Sequence, residues 1–251
     1  MKNNFKTLIM ENIRNKSVGE IVKLDFRAAD VFSSYGIDFC CGGKISVAEA
    51  CANAKTDESI VISALENLKN QTGSAVHDFD SWNIGFLADY IQNTHHQYVS
   101  KAIPQILPLA QKVADVHGEH HSEVIVINEL FNDLADELLS HMQKEEQILF
   151  PYIKKLVVDE SAGNCSDGAC FGTVMGPISV MEQEHENAGV ILKQLYQLSN
   201  GYTPTEDACN TFRVLYGKLK EFEDDLHRHI HLENNILFPK AIEMEKLLLV
   251  N

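Results

Sequence analysis

The sequence has no run of 18 consecutive apolar residues, the length that a helix needs to span a membrane. Its first residues, Met1 to Lys6, have no apolar stretch of the kind found in secretion signals. Positive charge is also scarce, because 21 Lys and Arg residues stand against 36 Asp and Glu residues. The net charge of -15 repels nucleic-acid phosphates and anionic lipids, so neither is an expected partner. We expect a soluble protein of the cytoplasm.

Cysteines are few, and a strand pattern is missing altogether. The six cysteines are irregularly spaced over 251 residues, which argues against a disulfide framework and favours free thiols in a reducing compartment. No segment alternates apolar and polar residues as a half-buried strand does. Apolar residues still make up 45% of the chain, which is enough for a hydrophobic core. These features favour an all-α fold.

The most informative feature that is present is a repeated motif of two metal-ligand side chains. The segment His141-Met-Gln-Lys-Glu145-Glu-Gln-Ile-Leu-Phe-Pro151 returns 88 positions later as His229-Ile-His-Leu-Glu233-Asn-Asn-Ile-Leu-Phe-Pro239. A spacing of four residues places each histidine and its glutamate on one face of a helix. One such pair is usually a surface interaction, but two copies with the same flanking residues indicate a pair of metal ions.

Hydrophobic periodicity places both motifs in the core. The first apolar stripe runs from Ile127 through His141 and Glu145 to Ile148, and the second runs from Phe212 through His229 and Glu233 to Ile236. A buried polar group without a partner costs about 2 to 7 kcal/mol, so four of them would unfold an ordinary domain unless a bound ion satisfied them. For the shared Ile-Leu-Phe-Pro, we expect three core residues and a proline that ends the helix.

The chain divides into a small region of short helices and a larger region of long ones. Residues 1–74 contain two capping boxes, Ser17-x-x-Glu20 and Ser46-x-x-Glu49, which mark helix starts. Gly36 is expected to end a helix. The stretch Gln-Thr-Gly-Ser at 71–74 is the best linker candidate. We therefore predict a small helical domain over 1–74 and a second domain over 75–251.

The second region predicts four long helices. Their expected ranges are 82–101 with a bend or restart at Pro104 and Pro108, 121–156 with Pro151 kinking or ending its last turns, 177–199, and 206–248. Four amphipathic helices joined by mostly short connections favour an antiparallel four-helix bundle.

Two further helices offer histidines to the same centre. His185 lies at a core position of the third helix, whereas the first helix offers His95 and His96, of which the apolar stripe favours His95. Four imidazole nitrogens and four carboxylate oxygens, plus a bridging oxide or hydroxide, would leave about one open position on each of two six-coordinate metals. Nitrogen and oxygen donors without thiolate suit iron, manganese or zinc, and a carboxylate-bridged pair in a helical bundle favours iron.

Four motifs give the chain a resemblance to a known family, the di-iron proteins for repair of iron centres, which rebuild iron-sulfur clusters damaged by nitric oxide or oxidants. The resemblance covers nearly the whole chain. The motifs are Asp38-Phe-Cys-Cys-Gly-Gly43, Ser140-His-Met-Gln-Lys-Glu-Glu-Gln-Ile-Leu-Phe-Pro151, Met175-Gly-Pro-Ile-Ser-Val-Met-Glu-Gln-Glu-His185 and the second repeat copy, His229 to Pro239.

The resemblance implies a hemerythrin-like four-helix bundle that follows a small N-terminal domain with a Cys-Cys-Gly-Gly turn. It implies two iron ions, with Glu145 and Glu233 as bridging ligands alongside an oxo or hydroxo bridge. It favours His96 over His95, so the implied ligands are His96, His141, Glu145, His185, His229 and Glu233. It further implies a homodimer, damaged iron-sulfur proteins as partners, and nitric oxide or oxygen as small ligands.

The two adjacent cysteines of the turn are not expected to chelate a metal ion as a pair. Neighbouring cysteines do not readily clamp one metal, so we expect Cys40 and Cys41 to be exposed nucleophiles or transient ligands. The resemblance implies that this turn acts with the di-iron site. The loop that carries Cys165 and Cys170 is longer than the family pattern, and we interpret it as a mobile insertion.

Candidates for a supporting role around the metals are weaker. Glu184 and His117 are expected to orient ligands or to line an access path, since metal-bound imidazoles usually donate their other N–H to a partner. His231, by contrast, is expected to point elsewhere.

Three other functions remain open at this stage. A hemerythrin-type oxygen or nitric oxide carrier or sensor generally has more histidine ligands and one open position, whereas this inventory is symmetric. A ferroxidase or iron store uses more carboxylates. If the protein were a nitric oxide reductase, it would be an enzyme. It would then differ from a repair protein only in the substrate that it turns over.

Overall fold

The computed structural model describes residues 13–40, 42–68, 78–163 and 172–250. These residues form helices and loops without a β-strand, so the predicted all-α fold is confirmed. Across the same ranges, every helix is too short or too polar to cross a bilayer. The chain folds into two compact units. The N-terminal unit comprises Met1–Trp82 and Ile230–Pro239, and the bundle unit comprises Asn83–His229 and Lys240–Asn251.

The described part of Met1–Trp82 contains four short α-helices, which are α1 (Val18–Leu24), α2 (Ala28–Ser34), α3 (Val47–Asn53) and α4 (Glu58–Leu68). The first begins at the predicted capping box, where the Ser17 hydroxyl accepts from the Glu20 N–H and the Glu20 carboxylate accepts from the Ser17 N–H. The second predicted start is also confirmed, because the Ser46 hydroxyl accepts from the Glu49 N–H. Each cap satisfies backbone donors that have no partner inside the helix.

The core of this unit is small and apolar. Val18, Phe32, Val47 and Val61 are fully buried in it. Helix α2 ends just before Gly36, whose φ of +67° belongs to the left-handed region that favours glycine. The predicted helix end at this glycine is confirmed.

Beyond the N-terminal unit's short helices and the 3-10 turns Ile13–Asn15 and Phe79–Ser81, the described residues form four long helices. They are α5 (Ile84–Ile91, Gln92–His96 and Gln97–His117), α6 (Glu123–Lys144, Glu145–Leu149 and Phe150–Ala162), α7 (Met175–Leu198) and α8 (Asn210–Leu232, Glu233–Leu237 and Phe238–Val250). Helix α6 packs against both α5 and α7. The short connection between α5 and α6 makes these two neighbours antiparallel.

Three of the long helices contain a π-helical turn, in which the backbone bond spans five residues instead of four. These turns are Gln92–His96, Glu145–Leu149 and Glu233–Leu237. Two of them stand immediately before the Phe-Pro of the repeated motif, and both helices continue past the proline. The prediction that Pro151 and Pro239 end their helices is therefore wrong. A widened turn accommodates a residue that lacks an N–H, which the sequence pattern did not reveal.

The prediction of three core residues in Ile-Leu-Phe is confirmed in one copy of the repeat and wrong at one position of the other. Ile236 is 1% exposed, whereas the equivalent Ile148 is 48% exposed. The residues that follow each isoleucine, Leu-Phe, are buried in both copies. Pro104 and Pro108 cause no restart, since both lie inside Gln97–His117.

Candidate metal centre

The structure brings all six candidate ligands together in two overlapping groups. One group is His96, Glu145, His229 and Glu233, and the other is His141, Glu145, His185 and Glu233. In each group the potential ligand atoms lie within 4.8 Å of one another. Every one of the six residues is at most 2% exposed. The two glutamates belong to both groups, and each group adds two imidazoles of its own.

The helices position these side chains through the predicted four-residue spacing. His141 lies in the regular part of α6, and Glu145 is the first residue of the π-helical turn that follows. The pair His229 and Glu233 repeats this arrangement along α8. His185 lies on the buried face of α7, as its periodicity predicts.

The geometry is nearly symmetric between the two groups. The Nε2 atoms of His96 and His229 lie 3.2 Å apart, and those of His185 and His141 lie 3.0 Å apart. The corresponding ring centroids are 4.8 and 4.7 Å apart, with tilts of 53° and 58°. Glu145 Oε2 lies 3.3 Å from both His96 Nε2 and His141 Nε2. This carboxylate therefore stands where one group meets the other.

Two further carboxylates contact the Nδ1 atoms of His96 on α5 and His141 on α6, on the side of each ring that faces away from the cluster. Glu146 Oε1 lies 2.8 Å from His96 Nδ1, and Glu184 Oε2 lies 2.8 Å from His141 Nδ1. A carboxylate that accepts from Nδ1–H leaves the Nε2 lone pair free to face the cluster. The expected orienting role of Glu184 fits this geometry, whereas sequence reasoning missed Glu146. Its position directly after a ligand, on the same turn, was the signal that could have found it.

The Glu184 carboxylate also forms an ion pair with Lys144. Burial raises the pKa of Glu184, but hydrogen bonds from Lys144 and His141 outweigh it and hold the pKa below its ordinary value. Glu184 is therefore ionised at neutral pH and able to accept from His141.

The two adjacent histidines of α5 have different partners. His96 lies in the cluster, whereas His95 Nδ1 lies 2.9 Å from Asp225 Oδ1 and its ring stacks on His229 at 5.8 Å. A regular helical period favoured His95, because it does not foresee the π-helical turn that contains both histidines. Both side chains are buried in that turn. Phe150 stacks on the His96 ring at 5.4 Å and closes that side with an apolar group.

The donor set fits a bound cation. It consists of imidazole nitrogens and carboxylate oxygens, and neither group contains a thiolate. Two carboxylates buried this deeply would carry a large desolvation cost without a positive charge beside them. Nitrogen and oxygen donors of this kind suit iron, manganese or zinc.

The cysteine turn of the N-terminal unit differs from expectation at Cys40. This thiol is buried at 3% exposure and donates to Asp38 Oδ1 at 3.1 Å, and the Cys40 N–H donates to the same oxygen at 2.8 Å. The prediction of an exposed side chain is wrong here, because Asp38 caps the turn and also accepts from the Gly42 N–H at 2.9 Å. At Gly43 a Cβ would lie 2.6 Å from the Phe39 carbonyl oxygen, so the turn requires glycine. Cys41 lies outside the described residues.

His231 packs within the same N-terminal unit, away from the candidate ligands as expected. Its ring lies 5.8 Å from that of Phe26 and 5.9 Å from that of Phe39. Burial lowers the pKa of His231 to about 4, so the imidazole is neutral at physiological pH. A neutral ring packs between two phenyl rings without a desolvation penalty for charge.

His117 does not support the metal ligands. Its Nε2 lies 3.2 Å from the Cys209 sulfur, and neither ligand group contains it. The expectation that it orients a ligand is therefore wrong, since a lone histidine gives no sequence signal for its partner. Cys165 and Cys170 lie outside the described residues.

Comparison with known proteins agrees with this geometry. The sequence profile of the Hemerythrin HHE cation binding domain matches residues 88–241, which confirms the predicted hemerythrin-like bundle. A domain of unknown function, DUF542, matches residues 14–69. The chain is similar to the iron-sulfur cluster repair protein YtfE of Escherichia coli O81 (strain ED1a) and to its namesake in Escherichia fergusonii. Each is 36% identical over 232 residues, which cover 92% of this chain and 99% of the relative. The chain therefore belongs to the family of iron-sulfur cluster repair proteins and carries a hemerythrin HHE cation binding domain.

Proposed function

We propose that the protein holds two iron ions and repairs iron-sulfur clusters damaged by nitrosative and oxidative stress. The observation that carries this proposal is the buried cluster of four histidines and two glutamates, arranged as two groups that share both carboxylates. The printed function of the relatives, iron-sulfur cluster repair, supports the same conclusion. Damaged iron-sulfur proteins are the proposed partners, with nitric oxide or oxygen as small ligands.

Each residue of the cluster has a defined part in this proposal. Glu145 and Glu233 would be shared by the two ions, and each pair of histidines would complete one half. Bound there, and joined by an oxo or hydroxo bridge, the irons would supply redox chemistry and open positions for a diatomic molecule. Glu146 and Glu184 keep the protons of His96 and His141 on Nδ1, so that both Nε2 atoms stay available as ligands. Phe150 limits the access of water from its side.

The N-terminal turn enters the proposal as a second functional part. We propose that Cys40 and Cys41 handle iron or nitric oxide together with the metal centre. Cys40 would first have to break its hydrogen bond to Asp38, because its thiol is buried. We also propose the division into domains 1–74 and 75–251, a homodimer, and a cytoplasmic location.

A loading experiment tests the metal centre. Anaerobic reconstitution with ferrous salt should give about two irons per chain, and Glu145→Ala combined with Glu233→Ala should abolish that stoichiometry. A double variant that still retains both irons would contradict the bridging assignment.

A repair assay tests the function itself. The iron-loaded protein is mixed with an iron-sulfur enzyme that nitric oxide has inactivated, and recovery of activity is followed. Cys40→Ser and Cys41→Ser variants measure the contribution of the turn. Recovery at the same rate with free ferrous salt alone would overturn the repair function.

The near symmetry of the donors disfavours the oxygen-carrier alternative. Two histidines and two shared carboxylates face each position, whereas a reversible carrier blocks one iron with additional histidines. A stable, reversible oxygen adduct in stopped-flow spectra would favour the carrier. Catalytic formation of nitrous oxide from nitric oxide would make the protein a reductase.

A further inference from the structure

The two halves of the candidate centre offer the same donors but differ in what lies behind them. One half uses His96 and His229, the other uses His141 and His185, and both share the two glutamates. Because the donors are alike, any difference in metal affinity must come from groups that contact the imidazoles from outside. The inference drawn from this difference rests on the proposed function.

Both halves begin from an equivalent carboxylate contact. Glu146 reaches His96 Nδ1, and Glu184 reaches His141 Nδ1, in each case at 2.8 Å. A carboxylate that accepts from Nδ1–H increases electron density at Nε2 and strengthens the imidazole as a ligand. The side chains of the two glutamates are 37% and 31% exposed, so solvent screens them to a similar degree.

Lys144 breaks this equivalence. Its ammonium pairs with Oε1 of Glu184, whose other oxygen contacts His141. In the part of the chain that the structure describes, no lysine or arginine lies within ion-pair distance of Glu146. The ammonium draws charge away from Glu184 and weakens its effect on His141. It also adds a positive charge on that side, which disfavours a nearby dication.

We infer that Lys144 makes the two metal positions unequal, so that the half held by His141 and His185 binds ferrous iron more weakly and releases it first. The half held by His96 and His229 keeps its ion and, with it, the charge balance of the buried carboxylates. The protein can then deliver one iron to a damaged cluster without emptying its core. Lys144 is a positioning residue in this scheme, since it acts only through Glu184.

Release kinetics test the inference without a repair assay. The protein loaded with about two irons is challenged anaerobically with excess ferrous chelator, and we expect two phases of about one iron each. His185→Ala should remove only the fast phase, and His229→Ala should remove only the slow one. These two variants assign each phase to its half of the centre.

Substitutions of Lys144 provide the matched comparison. Its side chain is 38% exposed, so Lys144→Met, which keeps most of the aliphatic stem, should fold. We expect this variant to slow the fast phase roughly three- to fivefold. Lys144→Arg keeps the charge and should leave both phases as in the wild type, whereas a purely structural role of the aliphatic stem predicts that the Met and Arg variants behave alike.

The outcomes separate the inference from the proposed function. A wild-type protein that holds two irons and loses them in one phase, or a Lys144→Met variant with an unchanged fast phase, would overturn the inequality and leave the di-iron proposal standing. A wild-type protein that never holds two irons would overturn both. A repair assay that fails despite two-phase release would contradict the proposed function alone.

Discussion

His95 Nδ1 lies 2.9 Å from Asp225 Oδ1, so one of two adjacent buried histidines is held by a side-chain carboxylate while its neighbour faces the candidate metal centre. We predict that His96→Ala lowers the iron stoichiometry below about two per chain, because it removes a ligand. His95→Ala should keep both irons and instead lower the free energy of unfolding by about 1 to 3 kcal/mol, since it leaves Asp225 without its hydrogen bond. Metal analysis and urea denaturation measure the two effects.

A loss of iron in His95→Ala with full retention in His96→Ala would reverse the assignment. His95→Gln serves as a control, because its amide can still donate to Asp225 and should restore part of the stability.

A second prediction concerns the buried Glu245, whose hydrogen-bond partners lie 93 and 71 positions away in the sequence. Its carboxylate accepts from the Tyr152 hydroxyl at 2.7 Å and from the Val174 N–H at 2.9 Å, just before α7 begins. Glu245→Ala leaves both donors buried without this acceptor and should cost about 2 to 5 kcal/mol of unfolding free energy. Tyr152→Phe removes only one of the bonds and should cost about 1 kcal/mol. Equal losses in urea denaturation would show that the carboxylate does not act on both donors.

A third prediction concerns pH and the buried Glu223. Burial raises its pKa from the ordinary value of 4.5 to about 7, so the folded protein binds this proton more tightly than the unfolded chain does. The stabilisation from this proton is complete below pH 4.5 and is lost as the pH rises through about 7. Between these values, stability relative to Glu223→Gln should fall by at most about 1.4 kcal/mol per pH unit.

Urea denaturation of the metal-free wild type and of Glu223→Gln, measured in parallel across this pH range, checks the prediction. Taking the difference between the two proteins removes the titration of all other groups. A difference that stays constant from pH 4.5 to 8 would contradict it.

A fourth prediction concerns the reactivity of Cys209, which lies at the start of α8. The Phe212 N–H and then the His117 side chain stabilise its thiolate and lower the pKa of Cys209 to about 7. Alkylation by iodoacetamide should therefore rise with pH around a midpoint near 7, and His117→Ala should move that midpoint upward. Peptide mass spectrometry measures each cysteine separately.

Cys51 provides an internal control for this measurement. It is buried, and burial raises the pKa of its thiol, so it should remain unmodified in the native protein. Equal labelling of Cys51 and Cys209 under native conditions would contradict the prediction for both.

The parts of the structure that follow from local pattern were predictable from sequence. The buried face of α7 around His185 and the capped start of α1 at Ser17 both depend on residues a few positions apart. The gathering of the candidate ligands was predictable for a related reason. Each copy of the motif places a buried histidine and glutamate on one helix face, where they require a polar partner, so the two copies were expected to meet.

The parts that sequence could not give depend on backbone geometry or on partners distant along the chain. The π-helical turns have no signature in periodicity, so the prolines that follow them were wrongly placed at helix ends. The contact between His117 and Cys209 spans 92 positions, and no residue near His117 in the sequence indicates that partner.

The π-helical turn Gln92–His96 fixes how many residues may separate the two ends of its helix. Removing one residue there would restore ordinary winding and rotate the preceding segment Ile84–Ile91 by about 100° relative to Gln97–His117. The apolar side chains of that segment would then leave the core. A related sequence that loses one residue here must gain one nearby to keep its core. We therefore expect alignments of related sequences to have no gaps in the middle of this helix, even where the amino acids differ.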